Sequence, residues 1–228
     1  MKLNLLDFFQ EVPLFNNLAE EELIQLTQIC RERTYEKGQA IFYEEDMPNN
    51  FYIVGSGQVK IVKLSEDGRE HILGLLNPKD FFGEMSLLDG KTRSATAIAV
   101  ENSKIITICR DDFTRLLREN PDITLKIMVT LCDRLRRADR HVESLAFLSA
   151  PGRVARFVME LADEQGIKKE DGIHIPHKMT RQEFANIAGT SRETLTRVLM
   201  DFQDEGIISI KKNLLILKDR NKLEKKII

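Results

Sequence analysis

The sequence predicts an α+β chain: a β-roll of jelly-roll type first, a long helix second, and a smaller helical unit closed by a β-wing third. Three observations predict it. Between residues 38 and 110 short β-rich segments alternate with glycines. From Pro121 the apolar residues recur at helical spacing, and between residues 180 and 198 two capped helical stretches meet at small side chains.

Taken in order, EEELIQLTQICRER reads as one helix entered through an acidic first turn, where carboxylates favour the positive end of the helix dipole. Then come QAIFYEE, NNFYIVGSG, QVKIVKL, HILGLL, ATAIAV and SKIITIC, punctuated by Gly38, Gly55, Gly57, Gly68, Gly74, Gly83 and Gly90, the pattern of an antiparallel sandwich. Beyond Pro121, Met128, Leu131, Leu135, Ala138, Val142 and Leu145 follow at spacings of three and four, the a/d seam of a coiled coil. Arg134, Arg136, Arg137, Asp139 and Arg140 flank that stripe and would keep the other faces wet, so a two-helix dimer seam is expected; a helix packed on its own domain is the alternative. After Pro151, GRVARFVMELADEQG is an amphipathic helix and EQGIKKEDG a loop.

Composition sets the class. With 31% charged and 42% hydrophobic residues the chain reads as an ordinary soluble protein, and no apolar run approaches the roughly 18 residues of a membrane span. Asp7 and Glu11 fall where a secretory signal would need a clean apolar core, so a cytoplasmic location is expected and no membrane partner. Cys30, Cys109 and Cys132 are odd in number and far apart, which indicates neither a disulfide framework nor a zinc knuckle. His174 and His177 flank a proline in IHIPH, but two nitrogens alone do not make a metal site. Residues 1–148 hold 19 Lys and Arg against 24 Asp and Glu, a net of −5; residues 149–228 hold 15 against 12, a net of +3. An anionic partner, if one is bound, meets the second part.

That second part has the spacing of a helix-turn-helix. Thr180 with Glu183 forms a capping box, Gly189 ends the first helix, and Ser191 caps the next. Phe184, Ala185, Ala188, Leu195 and Val198 fall where two crossing helices must touch. GIISIKKNLLILKD then reads as two strands, with Lys211, Lys212 and Asn213 at the turn of a wing. The second helix of such a motif enters the major groove of double-stranded DNA with its N-terminal residues toward the bases. Arg192, Glu193 and Arg197 share that face: arginine can donate two bonds to guanine and glutamate can accept from cytosine, each pair giving about 1 to 3 kcal/mol of discrimination. Thr180, Arg181, Gln182, Ser191 and Thr196 are placed to touch phosphates. A solvated helix face is the competing reading.

The stretch FFGEMSLLDGKTRSATAIAV places Glu84 and Arg93 nine residues apart on a loop-helix-loop inside the sandwich. Such a pair suits a small anion. Gly83 permits close backbone approach, Glu84 can accept from a sugar hydroxyl, and the amides from Met85 and Ser86 to Leu88 at a helix start favour negative charge. Arg93 would neutralise a phosphate and Ser94 would add a hydroxyl donor. The alternative is a buried Glu84 to Arg93 ion pair with no ligand.

FGEMSLL followed by RSATAIA resembles the phosphate-binding cassette of the cyclic-nucleotide-binding domain. TRQEFANIAGTSRETLTRVL is similar to the helix-turn-helix of the cyclic AMP receptor protein and fumarate/nitrate reduction regulator family, and the likeness runs through sandwich, central helix, SLAFLSAPGRVAR hinge and winged domain in order. It implies a cyclic-nucleotide-binding sensor domain over 1–120, a dimerisation helix over 121–148 and a winged helix-turn-helix DNA-binding domain over 149–228. It further implies a homodimeric transcription regulator, not an enzyme, with a cyclic nucleotide as allosteric ligand and no other cofactor. In this reading Gly83, Glu84, Arg93 and Ser94 match the ribose and cyclic-phosphate contacts, and Arg192, Glu193 and Arg197 match the residues that read TGTGA-like half-sites. The IKKEDG loop is where RNA polymerase would be met. No Ser-His-Asp set, metal cluster or paired carboxylates argue for catalysis.

One departure bears on the ligand. Where the cyclic AMP receptor branch presents a Thr-Ser pair to the base, alignment through LAFL places Ala138 and Asp139. Alanine offers no hydroxyl, and an ionised aspartate accepts where guanine presents two N–H donors, so cyclic GMP or a cyclic dinucleotide is expected to compete with cyclic AMP. Pairing of Asp139 with Arg136, Arg140 or the partner chain is the alternative. Iron-sulfur sensors of the family need clustered N-terminal cysteines where only Cys30 is found, and His71 is the lone histidine a haem sensor would have in the sandwich. A ligand-independent regulator with a vestigial cassette remains the competing function.

Overall fold

The computed structural model describes residues 4–66, 68–177, 179–211 and 213–227. The chain divides into two compact units, Met1–Leu135 and Arg136–Ile228.

The first unit opens with α1 (Leu5–Gln10) and α2 (Glu20–Ile29), whose first turn is acidic at Glu20, Glu21 and Glu22. Eight strands follow: β1 (Cys30–Tyr35), β2 (Ala40–Phe42), β3 (Asn50–Ser56), β4 (Val59–Leu64), β5 (Glu70–Leu76), β6 (Phe81–Phe82), β7 (Thr96–Ala99) and β8 (Ser103–Cys109). They pair antiparallel into two four-stranded sheets, in the orders β1-β8-β3-β6 and β2-β7-β4-β5. This is the expected β-roll, with one boundary moved. The stretch expected as a single helix stops at Ile29, and CRERTY is a strand. It is an edge strand, where exposed Arg31, Glu32 and Arg33 discourage pairing with other chains and carry no alternating pattern.

The roll is closed by aromatic packing. Phe51 on β3 stacks on Phe113 of α4 (Arg110–Glu119) with ring centres 4.3 Å apart, in one core with the fully buried Ile53, Ile106 and Ile108. The long helix α5 (Pro121–Phe147) starts at a proline, whose fixed φ suits the first helical position. Ile123 and Ile127 bury one face of α5 in this unit, with Leu131 packed beside them. The other residues of the expected seam, Met128, Leu135, Ala138, Val142 and Leu145, are exposed in the single chain, and Leu125 and Val129 extend the apolar stripe.

The second unit is built on α6 (Ala150–Gln165), α7 (Arg181–Ile187), α8 (Arg192–Asp204) and α9 (Arg220–Glu224). A four-stranded sheet of order β11-β12-β10-β9 joins them, made of β9 (Ile167–Lys169), β10 (Gly172–Pro176), β11 (Ile208–Lys211) and β12 (Leu214–Leu217). The stretch expected as a loop after α6 is therefore the β9-β10 hairpin, with the turn in IKKEDG; its strands are too short to show a period. β11 and β12 form the wing, Lys211 closing the ladder against Leu214, while Lys212 lies outside the described residues. Phe184, Ala185, Ala188, Leu195 and Val198 are all buried in one core with Val154, Val158 and Phe202, as the helix-turn-helix spacing requires.

Candidate ligand pocket and nucleic-acid interface

In the first unit the short helix α3 (Met85–Asp89) follows β6 directly, and Gly90 closes it in a left-handed turn. Ser86 is buried and donates its hydroxyl to the Thr92 carbonyl at 3.0 Å, which ties the loop carrying Arg93 back onto α3. The Leu87 and Leu88 amides are both taken up by the Glu84 carbonyl at 3.0 Å, so the set of amides expected to face an anion narrows to Met85 and Ser86. Met85 is half-exposed, and Ser94 is exposed at the start of the run into β7.

Two opposite charges are buried here, and they do not pair as the ligand-free reading expected. Glu84 is 1% exposed and Arg93 3%. Arg134 of α5 donates to Glu84 Oε1 at 2.7 Å, bonds the Phe81 carbonyl, and lies over the Phe81 ring. Arg93 points its fork elsewhere: Nη1 donates to the Gly83 carbonyl at 2.6 Å and Nη2 to the Asn50 carbonyl at 2.7 Å. Its guanidinium stacks 4.5 Å from the Phe42 ring centre and 5.4 Å from that of Tyr52. Burial draws its pKa below the ordinary arginine range, while Tyr52, Glu84 and Asp46 push it back up. Gly83 has φ +77°, and a Cβ there would lie 2.8 Å from Arg93 Nη1 and 2.9 Å from Tyr52 Cδ2. The glycine is thus required by the arginine itself, apart from any ligand.

Each buried charge keeps one unpartnered atom: Glu84 Oε2 and Arg93 Nε. A buried polar atom left without a partner costs about 1–3 kcal/mol, so an acceptor and a donor are held ready within one cassette. A cavity of about 290 Å³, lined by Phe42, Asp46, Asn50, Tyr52 and Arg93 among others, borders the guanidinium. Arg134, expected to be a solvated flank of the seam, is the site residue that sequence reasoning missed. Its signal was present: Ile123, Ile127, Leu131 and Arg134 repeat at spacings of three and four on the face of α5 that packs on the roll. Ala138 and Asp139 stand exposed on α5 in the second unit.

The helix-turn-helix keeps its charges outside. Arg192, Glu193 and Arg197 are exposed on the first two turns of α8, in the order expected. The residues expected to touch phosphates are largely engaged with the protein. Thr180 Oγ1 accepts from the Glu183 amide at 3.2 Å and donates to Glu183 Oε2 at 2.9 Å. Ser191 Oγ accepts from the Thr194 amide at 3.1 Å, Thr196 Oγ1 donates to the Arg192 carbonyl at 2.7 Å, and Gln182 Nε2 donates to Asn186 Oδ1 at 2.8 Å. Arg181 is half-buried, and burial lowers its pKa. The Glu193 carboxylate is held below its usual range by its own amide and by the Ser191 hydroxyl.

Residues 32–120 match the family described as the cyclic nucleotide-binding domain, and residues 152–226 match the Crp-like helix-turn-helix domain. The chain is 37% identical over 198 residues to the cyclic AMP receptor protein of Thermus thermophilus, covering 87% of this chain and 88% of that one. The chain belongs to the cyclic AMP receptor protein (CRP) family. It is a cyclic-nucleotide-regulated transcription factor of that family rather than an enzyme. A CRP-like cAMP-activated global transcriptional regulator of Mycobacterium tuberculosis is 29% identical over 213 residues, 93% of this chain and 95% of that protein. Among solved structures, a CooA variant from Carboxydothermus hydrogenoformans superposes with a TM-score of 0.80 at 27% identity, covering 88% of this chain and 89% of that one. The c-di-GMP responsive global regulator CLP of Xanthomonas campestris gives 0.76 at 26%, covering 88% of this chain and all of that one. Both carry the CRP architecture found here.

Proposed function

We propose that this chain is a homodimeric regulator whose affinity for palindromic DNA with TGTGA-like half-sites is set by a cyclic nucleotide, cyclic AMP first among them. The observation that carries it is the cassette's pair of buried, half-satisfied charges, Glu84 with Oε2 unpartnered and Arg93 with Nε unpartnered. A ribose hydroxyl can donate to the first and a cyclic phosphate can accept from the second, with the Met85 and Ser86 amides and the Ser94 hydroxyl around the phosphate. The relatives named as cAMP-activated support the nucleotide assigned. In this reading 1–120 senses, 121–148 dimerises and 149–228 binds DNA. The exposed stripe of Met128, Leu135, Val142 and Leu145 supports a second copy along α5. The exposed IKKEDG stretch at the turn of the β9-β10 hairpin is assigned to RNA polymerase.

Binding at the cassette reaches DNA through α5 and the 148–152 hinge, with a coupling of about 1–3 kcal/mol. Calorimetric titration of nucleotide-stripped protein with cyclic AMP, cyclic GMP and cyclic di-GMP, beside Arg93→Ala, tests the reading. Micromolar binding of one of them that the variant loses upholds it. Asp139, exposed and acidic where the base would lie, supports guanine ligands as competitors, in keeping with the c-di-GMP response named for CLP. An unchanged nucleotide preference in Asp139→Ser sinks that part.

A second reading has one observation in its favour. Both terminal nitrogens of Arg93 are already occupied by carbonyls, as in a purely structural knot. No heat with any of the three nucleotides, together with specific DNA binding, would mark a ligand-independent regulator with a vestigial cassette.

A further inference from the structure

The Arg153 guanidinium, in the first turn of α6, donates to three carbonyls at once: Nε to Ala188 at 2.9 Å, Nη2 to Gly189 at 2.9 Å and Nη1 to Leu148 at 2.9 Å. These carbonyls come from two helix ends. Ala188 caps the C-terminus of α7 and Gly189 follows it with φ +61°, while Leu148 is the first residue past α5. The last carbonyls of a helix lack partners within it and carry its negative partial charge. A cation placed where two such ends converge answers both.

A second contact reinforces the first. A Cβ on Gly189 would lie 2.7 Å from Leu145 Cδ2, so the turn of the helix-turn-helix is seated directly on the last turns of α5. One turn further along α6, Arg156 donates to Ser144 Oγ at 2.8 Å and lies 3.7 Å from Glu143 Oε2, fastening the same end of α5 to α6. Ser191 and Arg192, where the recognition helix starts, follow Gly189 by two and three residues.

We propose that Arg153 is a positioning residue for DNA binding, a clasp that holds the helix-turn-helix turn against the end of α5 and so fixes the aim of Arg192, Glu193 and Arg197. The inference rests on the DNA-binding reading above and adds a residue to it. Arginine is required rather than lysine. The planar fork serves three acceptors on two segments, whereas an ammonium is a point charge that cannot span them. Because the clasp bridges the end of the dimer helix and the turn before the recognition helix, loosening it uncouples α8 from whatever moves α5 while leaving the core of the unit intact.

The test uses the full chain and Arg153→Lys, with Arg153→Met as the fuller loss. Three quantities are read: anisotropy titration with a palindromic TGTGA duplex and with a scrambled duplex at one salt concentration, amide hydrogen exchange over 144–149 and 186–191, and the melting temperature. The expected result for Arg153→Lys is a loss of about 10- to 100-fold on the palindrome, the scale of charged hydrogen bonds. The scrambled duplex keeps its affinity within about twofold, because phosphate contacts dominate it. Exchange speeds up in both segments together, and Arg153→Met goes further in the same direction.

Unchanged palindrome affinity in Arg153→Lys overturns the proposal. So does an equal loss on both duplexes with a lowered melting temperature, since that is the mark of a merely structural arginine. If the wild-type chain does not prefer the palindrome, the DNA reading fails and exchange alone decides. Faster exchange in both segments then upholds the clasp, and unaltered exchange in either one overturns it.

Discussion

Each compact unit presents a set of arginines and a glutamate, and the two sets are built on opposite terms. In the cassette Glu84 and Arg93 are almost wholly buried, held by Arg134, two backbone carbonyls and two aromatic rings. On α8 Arg192, Glu193 and Arg197 stand in water. A small ligand brings few contacts, so its site must be dehydrated and oriented before it arrives, and folding bears that cost. DNA brings a dense array of phosphates, so the residues proposed to read it can stay hydrated until the groove dehydrates them. The difference teaches where mutation should hurt: stability in the first set, recognition alone in the second.

The largest effect expected is therefore at Arg134. Arg134→Met leaves Glu84 buried with its guanidinium gone, and breaking a buried pair from one side costs about 3–5 kcal/mol. Since the Arg134 side chain is one-third exposed, a value near the lower end, about 3 kcal/mol, is expected in denaturant unfolding. Adding Glu84→Gln removes the stranded charge and should recover more than half of the loss. Arg192→Ala, by contrast, should leave stability within about 0.5 kcal/mol while costing about 1–3 kcal/mol of discrimination between palindrome and scrambled DNA. Comparable unfolding losses at Arg134 and Arg192 would break the comparison.

A smaller effect sharpens it inside the cassette. Gly83→Ala meets both a left-handed backbone, about 1–2 kcal/mol, and atoms of Arg93 and Tyr52 closer than 3 Å. Gly38→Ala has φ +83° with nothing within 4 Å, so it carries the backbone cost alone. Gly83→Ala should exceed Gly38→Ala in unfolding free energy and should weaken nucleotide binding, while Gly38→Ala leaves that binding unchanged. Equal costs would mean that Arg93 shifts freely and is not held in place.

What was legible in the sequence follows the same divide. Elements announced by periodicity or capping were readable: the glycine-punctuated strands, the capping box at Thr180, and the small residues between α7 and α8. Strand β1 was not, because a charged edge strand is held by ladder bonds to β8 and shows no alternation. Nor was the β9-β10 hairpin, whose three- and five-residue strands fall below any detectable period. Glu84 and Arg93 could be nominated from their chemistry and motif. Their partners could not, because Arg134 lies 50 residues from Glu84, and the carbonyls of Asn50 and Gly83 offer no side-chain signal.

The smallest effect concerns Thr180, where the cap would compete with the proposed phosphate contact for one hydroxyl. The oxygen accepts from the Glu183 amide and its proton goes to the Glu183 carboxylate, so in the free protein the residue serves the start of α7. Thr180→Ala should cost about 1 kcal/mol of stability, the usual value of an N-cap. Thr180→Asp keeps an acceptor for the same amide but faces the Glu183 carboxylate with no proton to give, so it should restore only part of that stability. It also places a negative charge where a phosphate would approach, so specific and scrambled DNA should both bind more weakly than to wild type. If Thr180→Asp instead binds both duplexes as well as wild type does, Thr180 lies outside the phosphate path. Position 180 would then belong with the buried set, a residue that matters for stability alone although it sits on the exposed side of the comparison.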